Sequence, residues 1–83
     1  MDFSASWCMP CKMIAPVFEA YSKDVNFKNT AFVKVDVDEA TEIAMKYGVQ
    51  AMPTFLFIKD GSVVNRFSGA DAAKLRQTIL AEQ

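Results

Sequence analysis

The chain holds two cysteines, Cys8 and Cys11, three positions apart, between a short apolar run and a helical pattern. A secreted domain stapled by disulfides would show four to eight cysteines spread along its length. A pair this close joins nothing distant, so the fold has to rest on a hydrophobic core. The 83 residues allow one domain, 1–83, with a thin margin for that core. A hydrophobic content of 52% with 23% charged residues suits a globular, soluble chain. No apolar run approaches the roughly 20 residues of a membrane span. Nine basic and ten acidic residues are well mixed, which leaves no electrostatic footprint for nucleic acid or anionic lipid.

Hydrophobic periodicity orders the rest. Met1 to Ala5 reads as the tail of a strand. Pro10 to about Val25 reads as a helix, with Ile14, Val17, Phe18 and Tyr21 on one face. Pro10 falls in the first turn, where a missing N–H costs little, and Pro16 is expected to kink the middle. Ala31 to Val37 alternates as a strand, Asp38 is placed as an N-cap, and Ala40, Ile43, Ala44 and Tyr47 form a second helical stripe ended by Gly48. Thr54 to Lys59 and Ser62 to Phe67 are β-rich runs joined by Asp60-Gly61, a strong hairpin signal. Asp71 caps a last helix with Ala72, Leu75 and Ile79 inward. The order β-α-β-α-β-β-α predicts an α/β fold with a mixed sheet of four strands and helices on both faces.

The chemistry lies at the first strand-to-helix junction. Residues i and i+3 share a helix face, so the two sulfurs can bond. Cys8 sits at the helix N-terminus, where unpaired N–H groups and the macrodipole favour a thiolate. Cys11 lies one turn deeper, and more shielding is expected there. One sulfur is thus suited to attack a disulfide and the other to resolve the mixed disulfide. A lone C-x-x-C is also half of a zinc site. With no His and no second pair, zinc would need another chain, so no metal is expected. Two inert structural cysteines are the remaining alternative.

The segment Trp7-Cys8-Met9-Pro10-Cys11-Lys12 after Asp2-Phe3-x-Ala5 resembles the active-site segment of the thioredoxin family. Lys34-Val35-Asp36-Val37-Asp38, Tyr47-Gly48-Val49, Met52-Pro53-Thr54-Phe55, Asp60-Gly61 and Ser68-Gly69-Ala70 extend the resemblance in order and spacing to the C-terminus. It implies a thioredoxin-like fold, a redox-active Cys8–Cys11 disulfide, and reduction of protein disulfides by dithiol–disulfide exchange. It implies that Asp2 is a buried carboxylate exchanging a proton with Cys11, and that Lys34 moderates it; an exposed terminal Asp2 is the competing reading. Pro53 would be a cis-proline facing the disulfide, where composition alone predicts trans. Trp7, Met9, Pro10, Ala51, Met52, Pro53, Gly69 and Ala70 would form the substrate rim. The implied electron donor is a thioredoxin reductase drawing on NADPH, with no cofactor bound to this chain.

Two departures stand out. Met9 occupies a position where the family most often has glycine; Pro10 is retained, which favours a reductant over an oxidant. Family members usually carry a further strand and helix before the strand ending in Asp2-Phe3. Without them, the edge beside the Phe32–Val37 strand is expected to be unpaired and its valines exposed, with a homodimer through that edge or face as one way to cover them. The first residues lack a basic region and a long apolar stretch, so no signal peptide is read and a cytoplasmic location is expected. The alternative function is a redox-gated binding module that uses the same surface without turnover.

Overall fold

The computed structural model describes residues 1–82; the expected domain 1–83 therefore includes one position, Gln83, outside the described residues. The elements are β1 (Asp2–Ser4), α1 (Met9–Ser22), a 3-10 turn (Val25–Phe27), β2 (Lys34–Asp36), α2 (Thr41–Lys46), β3 (Thr54–Lys59), β4 (Ser62–Ser68) and α3 (Ala72–Ala81). The sheet order is β2-β1-β3-β4. β1 runs parallel to β2 and antiparallel to β3, and β3 runs antiparallel to β4. β2 is the outer strand at one side, and β1 lies inside with all three of its residues buried.

Strand alternation divides the core into two layers. Phe55 and Phe67 turn to one face and pack with Ile14 and Phe18 of α1 and Leu75 and Ile79 of α3. Phe3, Val35 and Leu56 turn to the other and meet Ala44 of α2. Helices thus cover both faces, as the element order predicts. Asp60 and Gly61, with φ of 54° and 81°, make the tight turn between Lys59 and Ser62. Such a pair of positive φ values matches the twist of the flanking strands.

Several local expectations are corrected. α1 ends at Ser22 rather than near Val25, because the Lys23 N–H turns back to the Ala20 carbonyl at 3.2 Å, the Asp24 N–H to the Tyr21 carbonyl at 3.1 Å, and the Asp24 side chain caps the following 3-10 turn through the Asn26 N–H at 2.8 Å. β2 spans three residues rather than Ala31 to Val37, since β1, its partner strand among the described residues, is three residues long. Asp38 does not cap α2. The N-cap is Ala40, without a side-chain bond, and Asp36 Oδ1 takes the Asp38 N–H at 2.8 Å. Ile43, read as inward, is 42% exposed, and Ala44 carries the packing instead. Of the valines expected to be uncovered, Val33 is 48% exposed, whereas Val35 is buried against Phe3 and Leu56.

Phe55 is 1% exposed and stands between the rings of Phe18 and Phe67, at centroid distances of 6.0 and 5.1 Å. Phe55→Ala is expected to cost about 3–5 kcal/mol, a large part of the stability of so small a domain. Urea unfolding followed by circular dichroism measures it; a loss below about 1 kcal/mol would show that this layer is not the main core.

Candidate active site

β1 ends at Ser4, and the chain turns before α1 begins at Met9. The Cys8 N–H donates to the Ala5 carbonyl at 3.1 Å, which closes the turn. Cys8 is the N-cap of α1, with extended backbone (φ −92°, ψ 109°). Its sulfur accepts the Cys11 N–H at 3.2 Å, so it fills the place that a Ser or Asp oxygen takes at other helix starts. Pro10 occupies the first turn, where no helical donor is lost. Cys8 and Cys11 are joined by a disulfide with Cα atoms 5.3 Å apart. Their exposures are 5% and 3%, so the expected difference in shielding is absent in this disulfide form. What separates the two sulfurs is their position relative to the helix terminus.

Three further segments converge on this point. The Met52 carbonyl oxygen lies 3.7 Å from Cys8 Sγ, and the Met52–Pro53 peptide bond is cis, as the resemblance implied. Pro53 is buried, Met52 half-buried and Ala51 exposed. The Gly69 N–H donates to the Pro53 carbonyl at 2.9 Å, which brings exposed Gly69 and Ala70 beside the loop. Trp7 and Met9 are 64% and 65% exposed, and Pro10 is exposed as well. The indole Nε1 of Trp7 donates to Asp38 Oδ2 at 2.9 Å. Asp38 is therefore a site residue that the sequence reading assigned to a helix cap. The hydroxyl of Thr54, next to Pro53, was missed as well. It donates to the Ala51 carbonyl and meets Ser68 Oγ at 3.0 Å.

Asp2 is 1% exposed, and its Oδ1 has no hydrogen-bond partner among the described residues. Its register partners are Lys34 in β2 and Phe55 in β3, so it turns to the α1 face. Two residues on, Ser4 lines a cleft of about 430 Å³ together with Cys11, Lys34 and Asp36. Burial raises the Asp2 pKa from 3.8 to about 6, with the charges of Lys34 and the terminal amino group pulling the other way. The competing reading of Asp2 as an exposed terminal residue is thereby removed.

The stability consequence has a definite sign. Between pH 3.8 and about 6 the folded chain keeps a proton on Asp2 that the unfolded chain releases. Stability falls as pH rises through that window and stays lowered above it. Relative to Asp2→Asn, the parent chain is expected to lose about 2 kcal/mol between pH 4 and pH 7. Urea unfolding of both chains across that range tests it; parallel curves would refute the raised pKa.

The sequence profile of the thioredoxin family matches residues 1–81. An H-type thioredoxin of Oryza sativa is 55% identical over 80 residues, covering 96% of this chain and 64% of the rice protein. A thioredoxin of Aspergillus fumigatus is 51% identical over 81 residues, covering 98% of this chain and 74% of its own length. The solved thioredoxin of Fasciola hepatica superposes with a TM-score of 0.94 at 55% identity, covering 99% of this chain and 77% of that one. A further solved chain, from work on thiol resolution in yeast mitochondrial 1-Cys peroxiredoxin through glutathione and thioredoxin systems, gives a TM-score of 0.90 at 39% identity, over 96% of this chain and 74% of that one. The chain spans just under two thirds of the rice relative's length and about three quarters of the others'. From the profile match and these identities, the chain belongs to the thioredoxin family.

Proposed function

We propose that this chain reduces protein disulfides by dithiol–disulfide exchange. The observation that carries the reading is the Cys8–Cys11 disulfide at the start of α1, with Cys8 Sγ in the N-cap position and 3.7 Å from the Met52 carbonyl. In the dithiol form, the Cys11 N–H and the helix dipole stabilise a thiolate on Cys8. That thiolate attacks one sulfur of a substrate disulfide. A Cys8–substrate bond forms, the substrate S–S bond breaks, and the first substrate thiolate leaves. Cys11 then gives up its proton and attacks Cys8 Sγ. The internal disulfide forms and the second substrate thiolate leaves. Two electrons pass from the cysteine pair to the substrate.

Asp2 is the proposed acceptor of the Cys11 proton. It makes no direct hydrogen bond to the sulfur, so a water carries the proton between them. With its pKa near 6, Asp2 is a usable base at neutral pH. Trp7, Met9, Pro10, Ala51, Met52, Pro53, Gly69 and Ala70 receive the substrate backbone around the disulfide. Its partners are disulfide-bearing proteins and a thioredoxin reductase that returns electrons from NADPH. The peroxiredoxin work on a structural relative gives one example of a thiol-based partner in this family. Retention of Pro10 favours the reducing direction, and a reducing, cytoplasmic compartment fits it.

Insulin-disulfide reduction with dithiothreitol tests the proposal. Cys8→Ser is expected to fall to the dithiothreitol background, and Cys11→Ser to accumulate mixed disulfides with substrate. Full activity in Cys8→Ser would eliminate the assigned nucleophile. The resolution step, followed by single-turnover release of the second thiol, is expected to slow as pH falls below about 6. Asp2→Asn should flatten that profile and lower its neutral plateau by about 10²–10⁴-fold, the scale of a lost general base.

A further inference from the structure

The rim rests on two segments far apart in the chain, Ala51–Met52–Pro53 and Ser68–Gly69–Ala70. We propose that Thr54 and Ser68 are positioning residues that lock these segments together and so hold the Met52 carbonyl in place over Cys8. The inference rests on the reading of this rim as the substrate-docking surface.

Thr54 is 0% exposed and directly opposite Ser68 in the β3–β4 ladder. Its hydroxyl donates to the Ala51 carbonyl and lies 3.0 Å from Ser68 Oγ. A hydroxyl carries one proton. Since Thr54 uses that proton on Ala51, Ser68 is the donor to Thr54. The relay therefore runs in one direction, from Ser68 through Thr54 to Ala51. A third bond, from the Gly69 N–H to the Pro53 carbonyl at 2.9 Å, closes the same seam from the backbone. Ala51 and Met52 have no strand partner of their own, because β3 begins only at Thr54. The buried hydroxyl is thus the side-chain tie between the loop and the sheet. Ser68 is exposed, so water can replace its bond. Thr54 has no such substitute, and its loss is expected to cost more.

Two isolating substitutions exist. Thr54→Val keeps the volume and removes the hydroxyl; Thr54→Ser keeps the hydroxyl and removes the methyl. In Thr54→Val, the KM for insulin is expected to rise about two- to tenfold, the span that loss of one neutral hydrogen bond produces. Its kcat should change by less than about twofold. Cys8 alkylation by a small reagent should keep its pH profile, since the helix N-terminus is untouched. Thr54→Ser should restore KM to within about twofold of the parent. Ser68→Ala should fall between them.

Amide exchange at Gly69, read by NMR, is the measurement that needs no turnover. It should quicken in Thr54→Val and stay near the parent rate in Thr54→Ser. Equal Gly69 exchange in the two variants would overturn the clamp, whatever the activity. So would a Thr54→Val KM equal to that of the parent. Failure of the parent chain itself to reduce insulin would instead count against the function proposed above, while the exchange comparison still decides the clamp.

Discussion

The Cys11 N–H that donates to Cys8 Sγ is one of the amide donors that every helix leaves unpaired at its start. Here a sulfur supplies the acceptor that a capping oxygen usually provides. A thiol in that place is a weak acceptor and a thiolate a strong one, so the bond gains strength as the sulfur ionises. The same contact therefore caps α1 and, in the proposed function, prepares the nucleophile. Its geometry depends on where α1 begins, and that is set by β1. Phe3 is fully buried between Val35 and Leu56, which fixes the strand's register and the exit point of the turn. A change in the packing of Phe3 would move the sulfur without touching it.

Asp2 shows the opposing demand. A carboxylate with an unpartnered oxygen, packed in the sheet's central strand, is a destabilising element in a small domain. Its neighbour in register, Lys34, is exposed and lowers the Asp2 pKa only by its field; no ion pair joins them among the described residues. A closer ion pair would stabilise the anion and return the group to the ordinary carboxylate range, where it would be a poor base at neutral pH. The intermediate arrangement keeps the proton affinity close to the working range. Under the proposed function, stability is given up at the position that exchanges the Cys11 proton, a pattern common at functional sites.

What could be read from the sequence was mostly local. The turn at Asp60-Gly61, the glycine stop at Gly48 and the Cys8 junction all follow from conformational preferences within a few residues. Family resemblance supplied the cis bond at Pro53 and the burial of Asp2, which no local rule predicts. The errors fall where a distant partner decides. The alternation from Ala31 to Val37 is a sound strand pattern, yet β2 is only as long as β1 allows. Asp38 has a good capping composition, but an indole N–H from Trp7, 31 positions away in the chain, takes its carboxylate. Thr54 reads as an ordinary β-former, and only the fold places its hydroxyl beneath Ala51.

Strand direction explains why four separate segments meet at one sulfur. β1 and β2 run parallel, so their C-terminal ends lie at the same end of the sheet, and Trp7 can reach Asp38. β3 runs antiparallel to β1, so its start, at Pro53 and Thr54, lies at that end also. β4 runs antiparallel to β3 and finishes there, at Ser68 and Gly69. The rim is therefore built from the ends of strands whose middles form the core. Side chains such as Phe55 and Leu56 set how firmly the strands are held, while residues one or two positions beyond the ladder set what is presented. Substitution at Met9 or Ala70 can then alter the proposed docking surface without unpacking the sheet, because neither side chain takes part in either core layer. Thr54 has no such freedom: it is at once the first ladder residue of β3 and the support of the loop that faces Cys8.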